Sequence, residues 1–333
     1  MKDIQFNSVN TRIRTYEQQL LSKAMYERLL MASSADELYG ILQETTYSKF
    51  LDEELTVHNF EKMLLAELSE MYRNLYAISP SRLVIDLFTL KYDYQNLKVL
   101  VKADYNQEDL SSLLVPYGSI PLATLKELVR AHHSPQVADA MNECVAEVYG
   151  YLEEYHERHS LDIIFDNYYW KHLTQLVEGK ENEEFQRLVR RNIDVFNISA
   201  TLRSHLMGRH RGFIQAVLAD GGTLATEELL EAISQSLDEF VVYLQASPYR
   251  PLIEVSHEEM RTAKTLNDFD LQKDNFLMER LKEQKMVPFG PLAIMGYIYA
   301  KEIEIKNLRI LFIGKINKIP EETLRRRVRE SYV

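Results

Sequence analysis

The chain has 333 residues, of which 46% are hydrophobic and 27% charged, as is typical of a folded globular protein. Only 11 glycines and 9 prolines are present, which favours long helices with short connections over a turn-rich β protein. The formal net charge of −11 argues against a general nucleic-acid binder, because attraction to phosphate needs a basic surface. Two or three domains are expected at this length.

The single cysteine, Cys144, excludes a disulfide within this chain and fits a reducing compartment. It lies in an amphipathic stretch, so we interpret it as a small core residue rather than a nucleophile. The first residues lack the apolar region of a signal peptide. No apolar run approaches the roughly 20 residues that span a bilayer. We therefore expect a cytoplasmic protein that acts on any membrane from outside the lipid.

Apolar residues at helical spacing predict two consecutive helices in the first third of the chain. The first stripe consists of Phe60, Leu64, Leu68, Met71 and Leu75. The second consists of Leu83, Leu87, Leu90, Tyr94 and Leu97. Between them, Ser79-Pro80 has the composition of an N-cap followed by the first residue of a helix. Near the other end, Leu308 to Ile313 has a strand-like composition but continues a helical pattern, so a helix is predicted there as well.

Three sequence elements recur in the same order along the chain. The first is a polar-Asn-aromatic triplet at the start of a helix-like stretch: His58-Asn59-Phe60, Asp166-Asn167-Tyr168 and Asp274-Asn275-Phe276, with the asparagines 108 residues apart both times. The second reads acid, apolar, any, Asn, apolar, and contains Asn96, Asn197 and Asn307. The third marks the start of a new helix after a turn, and it begins at Ile120, Leu224 and Ile319.

These recurrences predict a triplicated, wholly helical chain. Short patterns recur by chance in any Leu- and Glu-rich helical sequence, but three ordered elements in three copies favour triplication. The period is too long for a solenoid repeat and has the size of a domain. We predict helical domains at about 1–113, 114–222 and 223–333, in a row or around a pseudo-threefold axis.

Asparagine is disfavoured inside a helix, because its side chain competes for backbone hydrogen bonds. Asn96, Asn197 and Asn307 are therefore predicted to hold each helix to a neighbouring segment through side-chain hydrogen bonds. We expect this role to be structural rather than catalytic, since a catalytic role would imply three active sites.

Motifs that carry chemistry are scarce. The phosphate-binding patterns GxGxxG and GxxxxGK[ST], the GxSxG elbow and HExxH do not occur. Two Glu-x-x-His units, Glu153…His156 and Glu254…His257, match half of the ligand set of a di-iron bundle. The second follows Pro248 and Pro251, however, and looks like a loop that enters a helix. We predict no catalytic residue, no metal and no cofactor.

Two basic clusters stand out in this acidic protein. Residues 301–333 hold nine Lys/Arg against five Asp/Glu, and we expect a basic C-terminal helix with Arg325, Arg326, Arg327 and Arg329 to contact an acidic partner surface. The other cluster comprises Arg187, Arg190, Arg191, Arg203, Arg209 and Arg211. Each cluster fits either an acidic partner or a solvated face.

Runs at both ends of the chain resemble one family. The opening runs are Thr11-Arg12-Ile13-Arg14 and Tyr26-Glu27-Arg28-Leu29-Leu30, and the closing runs are Ala300 to Arg309, Gly314-Lys315 and Tyr332-Val333. They are similar to the C subunits of archaeal and bacterial V-type (A/V-type) ATPases, which are related to the eukaryotic d subunits. The resemblance implies an all-α, funnel-shaped body of three similar helical domains with a pseudo-threefold arrangement around a central cavity.

The resemblance also implies a mechanical function in the central stalk. Such a protein sits on the ring of membrane proteolipid subunits, on the cytoplasmic face, and receives the central-axle subunits in its cavity. It thereby couples the soluble ATPase head to ion transport, without catalysis, nucleic acid or a small-molecule substrate. Whether the ion is a proton or sodium is decided in the ring. A helical scaffold or regulator unrelated to ATPases, and a metal-containing bundle enzyme, remain the alternatives.

Overall fold

The computed structural model of the protein describes residues 3–51, 59–155, 161–179, 183–283, 285, 287 and 289–333. This part of the chain is helical and contains no β-strand, so the all-α prediction is confirmed. His58 of the first triplet and His156 of the first Glu-x-x-His unit lie outside the described residues.

The helices follow one another with short connections. The first eight are α1 (Asn7–Glu17), α2 (Lys23–Met31), α3 (Ala35–Leu42), α4 (Phe60–Ile78), α5 (Leu83–Asn106), α6 (Leu122–Ala131), α7 (Asp139–Tyr155) and α8 (Leu161–Val177). They are followed by α9 (Glu183–Leu206), α10 (Arg211–Val217), α11 (Thr226–Gln235), α12 (Leu237–Gln245), α13 (Arg250–Glu254), α14 (His257–Thr262), α15 (Asn267–Lys282), α16 (Leu292–Ile316) and α17 (Glu321–Arg325). Short 3-10 helices span Asp3–Phe6, Thr46–Phe50 and Ser111–Leu113.

Backbone packing divides the chain into two compact units. The middle unit is Asp86–Ile253, and the terminal unit combines Lys2–Ile85 with Glu254–Val333. The first division falls inside α5 and the second inside α13. The two units are defined by which residues pack together, whereas the predicted bounds at 1–113, 114–222 and 223–333 rest on repeated sequence elements. The predicted bounds therefore stay a prediction.

In the middle unit, α8 packs between α7 and α9, and α11 packs against α9 and α12. Cys144 on α7 is fully buried, as expected of a core residue, and burial raises the pKa of its thiol well above the ordinary range. Trp170 on α8 is also buried, with its ring 5.1 Å from that of Phe196 on α9. The core of this unit therefore lies along α8 and α9.

In the terminal unit, α16 is the central helix and packs against α1, α3, α4, α15 and α17. Most of its side chains are buried, as a helix with neighbours on several sides requires. It contains Leu308 to Ile313, so the helical prediction for this strand-like stretch is confirmed. The predicted stripe from Phe60 to Leu75 on α4 is buried throughout.

Two predictions about helix starts were wrong. Ser79 is the C-cap of α4, and α5 begins only at Leu83. The Ser79 hydroxyl donates to the carbonyl of Ser81 at 2.8 Å, so Ser79-Pro80 closes one helix instead of opening the next. Asn59 does precede α4, but Asn167 and Asn275 lie inside α8 and α15. The buried face of each of these two helices starts earlier than its triplet.

A buried histidine links α5 and α8 in the middle unit. His172 on α8 is 6% exposed, and its Nδ1 lies 3.4 Å from the hydroxyl of Tyr94 on α5. Burial lowers the pKa of His172 to about 4, because the charged ring would lose its hydration. In the unfolded chain the pKa of histidine is about 6.5, so the folded state binds fewer protons between these two values.

The contribution of His172 to the stability of the middle unit should therefore fall on acidification, against the buried Asp93, whose pKa burial raises to about 6 and which acts in the opposite direction. The contribution of His172 is fully present above about pH 6.5, and it decreases as the pH falls towards 4, by about 2 kcal/mol at pH 5. Trp170 is the only tryptophan and reports unfolding of this unit. Urea unfolding, followed by the fluorescence of Trp170, gives the free energy of unfolding at pH 7 and at pH 5. Between these two pH values, this free energy should fall by less in a His172→Phe variant than in the native chain. An equal change in the free energy of unfolding of both proteins would contradict the lowered pKa of His172.

Candidate functional site

The three long helices α5, α9 and α16 end in the same way. Each is followed, within two residues, by a residue with positive φ: Gln107 (55°), Gly208 (67°) and Lys318 (54°). The next N–H then donates to the carbonyl five residues back, in the pairs Glu108 to Ala103 (3.1 Å), Arg209 to Ser204 (2.9 Å) and Ile319 to Gly314 (2.8 Å). This is the Schellman end of a helix. In all three cases the predicted mid-helix asparagine stands eleven residues before the residue with positive φ.

On α5, Asp93 and Asn96 together hold the segment that leads to α6. The Asn96 amide donates to the carbonyl of Val115 at 3.0 Å and accepts from its N–H at 2.9 Å. The Asp93 carboxylate accepts from the N–H groups of Ser119 at 3.0 Å and Ile120 at 3.1 Å. We call this set of hydrogen bonds an acid–asparagine tie. It fixes the backbone immediately before α6.

The second tie repeats this geometry on α9. Asn197 exchanges two hydrogen bonds of 2.8 Å with the backbone of Ala219. Asp194 accepts from the N–H groups of Thr223 at 2.8 Å and Leu224 at 2.9 Å. The backbone groups held by the second tie lie just before α11, and those held by the first tie lie just before α6. The hydrogen bonds predicted from asparagine's poor helix propensity are thus present in both helices.

The third tie, on α16, joins segments that are far apart in the sequence. Asn307 exchanges hydrogen bonds of 2.9 and 2.8 Å with the backbone of Arg329, as the other two asparagines do with theirs. The carboxylate of Glu304, however, accepts from the N–H of Leu21 at 2.5 Å. Leu21 precedes Ser22, the N-cap of α2, just as Ile120 and Leu224 precede the N-cap residues of α6 and α11.

This geometry corrects the third sequence element. Helices do begin two residues after Ile120, Leu224 and Ile319, as predicted. The helix after Ile319, however, is α17, which lies in the sequence between Asn307 and Arg329, the residue whose backbone Asn307 binds. In the first two ties, the 3-10 helix Ser111–Leu113 and helix α10 occupy the corresponding position, between the asparagine and the residue that it binds. The counterpart of α6 and α11 in the third tie is α2, near the start of the chain.

A buried cation accompanies the third tie. The side chain of Lys301 is 2% exposed, and its Nζ lies 2.6 Å from Glu304 Oε1 and 3.0 Å from Glu67 Oε1. The Tyr47 hydroxyl donates to the same Glu304 oxygen at 2.7 Å. Burial alone would lower the pKa of Lys301, but the two carboxylates raise it above its ordinary value, so the lysine stays charged. In the sequence, Lys301 and Glu304 are simply two charges of the basic C-terminal stretch, so this cluster was not predicted.

Two of the three triplet asparagines bind backbone beside the held segments. Asn167 on α8 donates to the carbonyl of Ala216 at 3.1 Å. Asn275 on α15 accepts from the N–H of Glu330 at 3.0 Å. Ala216 and Glu330 lie close in sequence to the residues held by Asn197 and Asn307. Asn59 is the N-cap residue of α4.

Two glycines make room for the acid of a tie. A Cβ atom on Gly118 would lie 2.0 Å from Asp93 Oδ1, and one on Gly222 would lie 2.2 Å from Asp194 Oδ1. Any other residue at these positions would push the carboxylate away from its backbone donors.

The four arginines of the C-terminal cluster do not form one basic face. Arg325 is bound to both carboxylate oxygens of Glu27, at 2.8 and 2.6 Å, and also to Glu321 at 2.8 Å. Arg329 is largely buried and donates to Asp274 at 2.8 Å. Arg326 and Arg327 are exposed. Because α17 ends at Arg325, the predicted basic helix contains only the first of the four.

Within the described ranges, no three His, Cys, Asp or Glu side chains are grouped so that they could hold a metal ion. None of the helices described there combines the length and the apolar character needed to cross a bilayer.

Comparison with known proteins gives the family. A family model described as ATP synthase (C/AC39) subunit matches residues 9–327. The chain belongs to this family. The C subunit of a V-type sodium ATPase from Enterococcus hirae is 30% identical over 330 residues, covering 99% of either chain. The C subunit of an A-type ATP synthase from Methanocaldococcus jannaschii is 30% identical over 338 residues, covering 95% of this chain and 84% of its own. The resemblance noted at both ends of the sequence is thus confirmed, and it extends along almost the whole chain.

Gly222→Ala should destabilise the middle unit by about 2–3 kcal/mol, because the Asp194 carboxylate would lose hydrogen bonds that its burial requires. Gly150→Ala is the matched control, since Gly150 lies inside α7 with no atom near the site of its missing Cβ. This control should gain about 0.5–1 kcal/mol from the better helix propensity of alanine. Urea unfolding followed by Trp170 fluorescence measures both changes. Similar free energies of unfolding for the two variants would mean that the hydrogen bonds of Asp194 contribute little to stability.

Proposed function

We propose that this chain is a non-catalytic central-stalk (rotor) subunit of a V-type ATPase, which couples the central axle of the soluble ATPase head to the membrane proteolipid ring for ion transport. The observation that carries the proposal is the family match over residues 9–327, together with a relative named as a C subunit that aligns over 99% of its own length. The site contributes no competing chemistry, because its buried acids and amides bind the protein's own backbone.

A part that transmits torque needs joints that do not yield under load. Each acid–asparagine tie supplies such a joint, since a buried carboxylate and a buried amide hold stretches of backbone through several hydrogen bonds. Breaking a tie would leave several buried polar groups unsatisfied, at a cost of about 1–3 kcal/mol each. The ties therefore support a stiff coupling element rather than a flexible scaffold.

We further propose that the chain contains three related units, near 1–113, 114–222 and 223–333, with a pseudo-threefold arrangement in a funnel-shaped body. Support comes from the three equivalent helix ends and the three ties, whose held segments at 115–120 and 219–224 lie beside the proposed boundaries. The third tie adds to this support, because it joins the last long helix to the start of the first unit.

The proposed partners are the central-axle subunits of the V-type ATPase and the membrane proteolipid ring, and the proposed location is peripheral, on the cytoplasmic face. No nucleic acid, small-molecule substrate or cofactor takes part. The relative from Enterococcus hirae is named as part of a sodium ATPase, but the transported ion is set by the ring and not by residues of this chain.

Removal of this chain from the native complex should leave ATP hydrolysis by the detached head and abolish ion pumping, because the head would lose its mechanical link to the ring. Pumping is measured in membrane vesicles with and without the chain, and re-addition of purified chain should restore it. Retained pumping contradicts the proposal. So does an affinity purification of the native chain that brings down no catalytic ATPase subunits.

Arg326 and Arg327 are the remaining candidates for the predicted acidic partner. Reversing both charges, Arg326→Glu with Arg327→Glu, should weaken assembly about tenfold at low salt and less in about 0.5 M salt, where exposed charges are screened. Arg190→Glu, an exposed arginine on α9, is the control and should leave assembly unchanged. An unchanged assembly affinity of the double variant at low salt would assign Arg326 and Arg327 to the solvated surface.

A further inference from the structure

The segment that runs from the end of α9 into the first two residues of α10 is exposed over its whole length. Residues 207–212 read Met-Gly-Arg-His-Arg-Gly, and every one of them is exposed. Met207 is 61% exposed and is the large apolar side chain of this segment. We call Met207–Gly212 the basic turn. It belongs to the second basic cluster singled out in the sequence, which the coupling role does not use.

The arginines of the basic turn contact uncharged groups. Arg209 lies over the ring of Phe213, with its guanidinium carbon 5.0 Å from the ring centroid. Arg211 donates to the carbonyl of Leu230 at 3.2 Å and to the hydroxyl of Ser234 at 3.0 Å. Neither arginine forms an ion pair with a carboxylate in the described part of the chain. By contrast, Arg187 of the same cluster is paired with two glutamates.

The equivalent turns after α5 and α16 have the same backbone but a different charge. The turn after α5 presents Glu108 and Asp109, both exposed. The turn after α16 presents Lys318 and then Glu321 and Glu322. A partner that met only the shared backbone could not distinguish the three turns. Charge is the property that separates them, since like charges in contact suppress the wrong pairing.

From these observations, and resting on the proposed coupling function, we infer that the basic turn is a docking surface for an acidic segment of a partner protein. The two arginines bind carboxylates of that segment, and an apolar side chain of the partner covers Met207. Because the first turn is acidic, it repels the same segment, so the pair of turns sets which of the related units the partner contacts. A bilayer is a poorer occupant, because a single exposed methionine offers little apolar area and the whole chain carries a net charge of −11.

The inference can be tested by site-specific cross-linking in the assembled complex. A photo-reactive residue is introduced by Met207→p-benzoylphenylalanine, and the cross-linked peptide is identified by mass spectrometry. We expect a protein segment in which Asp and Glu outnumber Lys and Arg. Arg209→Glu in the same chain should lower the cross-link yield about fivefold at low salt. Intact folding of each variant is checked by Trp170 fluorescence.

The matched variant Glu108→Arg makes the first turn basic. With the photo-reactive residue placed by Leu113→p-benzoylphenylalanine, cross-linking of the acidic segment at this turn should appear only together with Glu108→Arg. A neutral or basic segment at position 207, a lipid adduct, a yield unaffected by Arg209→Glu, or no cross-link in an assembled complex would each overturn the inference. An acidic segment from a protein outside the ATPase would preserve the docking surface and overturn the coupling function instead.

Discussion

A buried acid and a buried asparagine, three residues apart on a long helix, are the constraint on which the rest of this structure depends. Neither side chain can be removed from water without hydrogen-bond partners, and the backbone of α5, α9 and α16 provides none, since its own groups are already paired. The partners come from backbone farther along, or in the third case from both ends of the chain. The loops after the long helices therefore have fixed paths, and Gly118 and Gly222 stand where those paths pass the carboxylate.

The third tie differs in chemistry because it joins segments that the chain does not connect locally. The backbones of Leu21 and Arg329 are both hydrogen-bonded to side chains of α16. A buried lysine and a second glutamate, Glu67, accompany these hydrogen bonds. A buried ion pair contributes little net stability, but the loss of either partner leaves an uncompensated charge. Such a cluster therefore favours one alignment over neighbouring ones. This is the property needed where two distant parts of a chain must find a single register.

The sequence predicted the parts of this arrangement that violate a local rule. Asn96, Asn197 and Asn307 stand inside strongly helical patterns, where asparagine is disfavoured, and their hydrogen bonds follow from that conflict. The buried role of Lys301 could not be predicted, because its partner Glu67 is distant in the sequence and nothing local marks the pair. Ile319 was aligned wrongly because helix starts look alike in sequence. What distinguishes them is the side chain that holds each one, and that is a tertiary property.

Repetition and specificity place opposite demands on a chain of this kind. Equivalent ties give equivalent backbone geometry at the ends of α5, α9 and α16, which suits the proposed coupling part. The proposed partner needs the turns after these helices to differ, and the turns do differ in exposed charge, as at Glu108 and Arg209. The ties are buried and the turns are exposed, so the two demands are met by different residues. Substitutions in the ties should then change stability with little effect on partner choice, whereas substitutions in the turns should do the reverse.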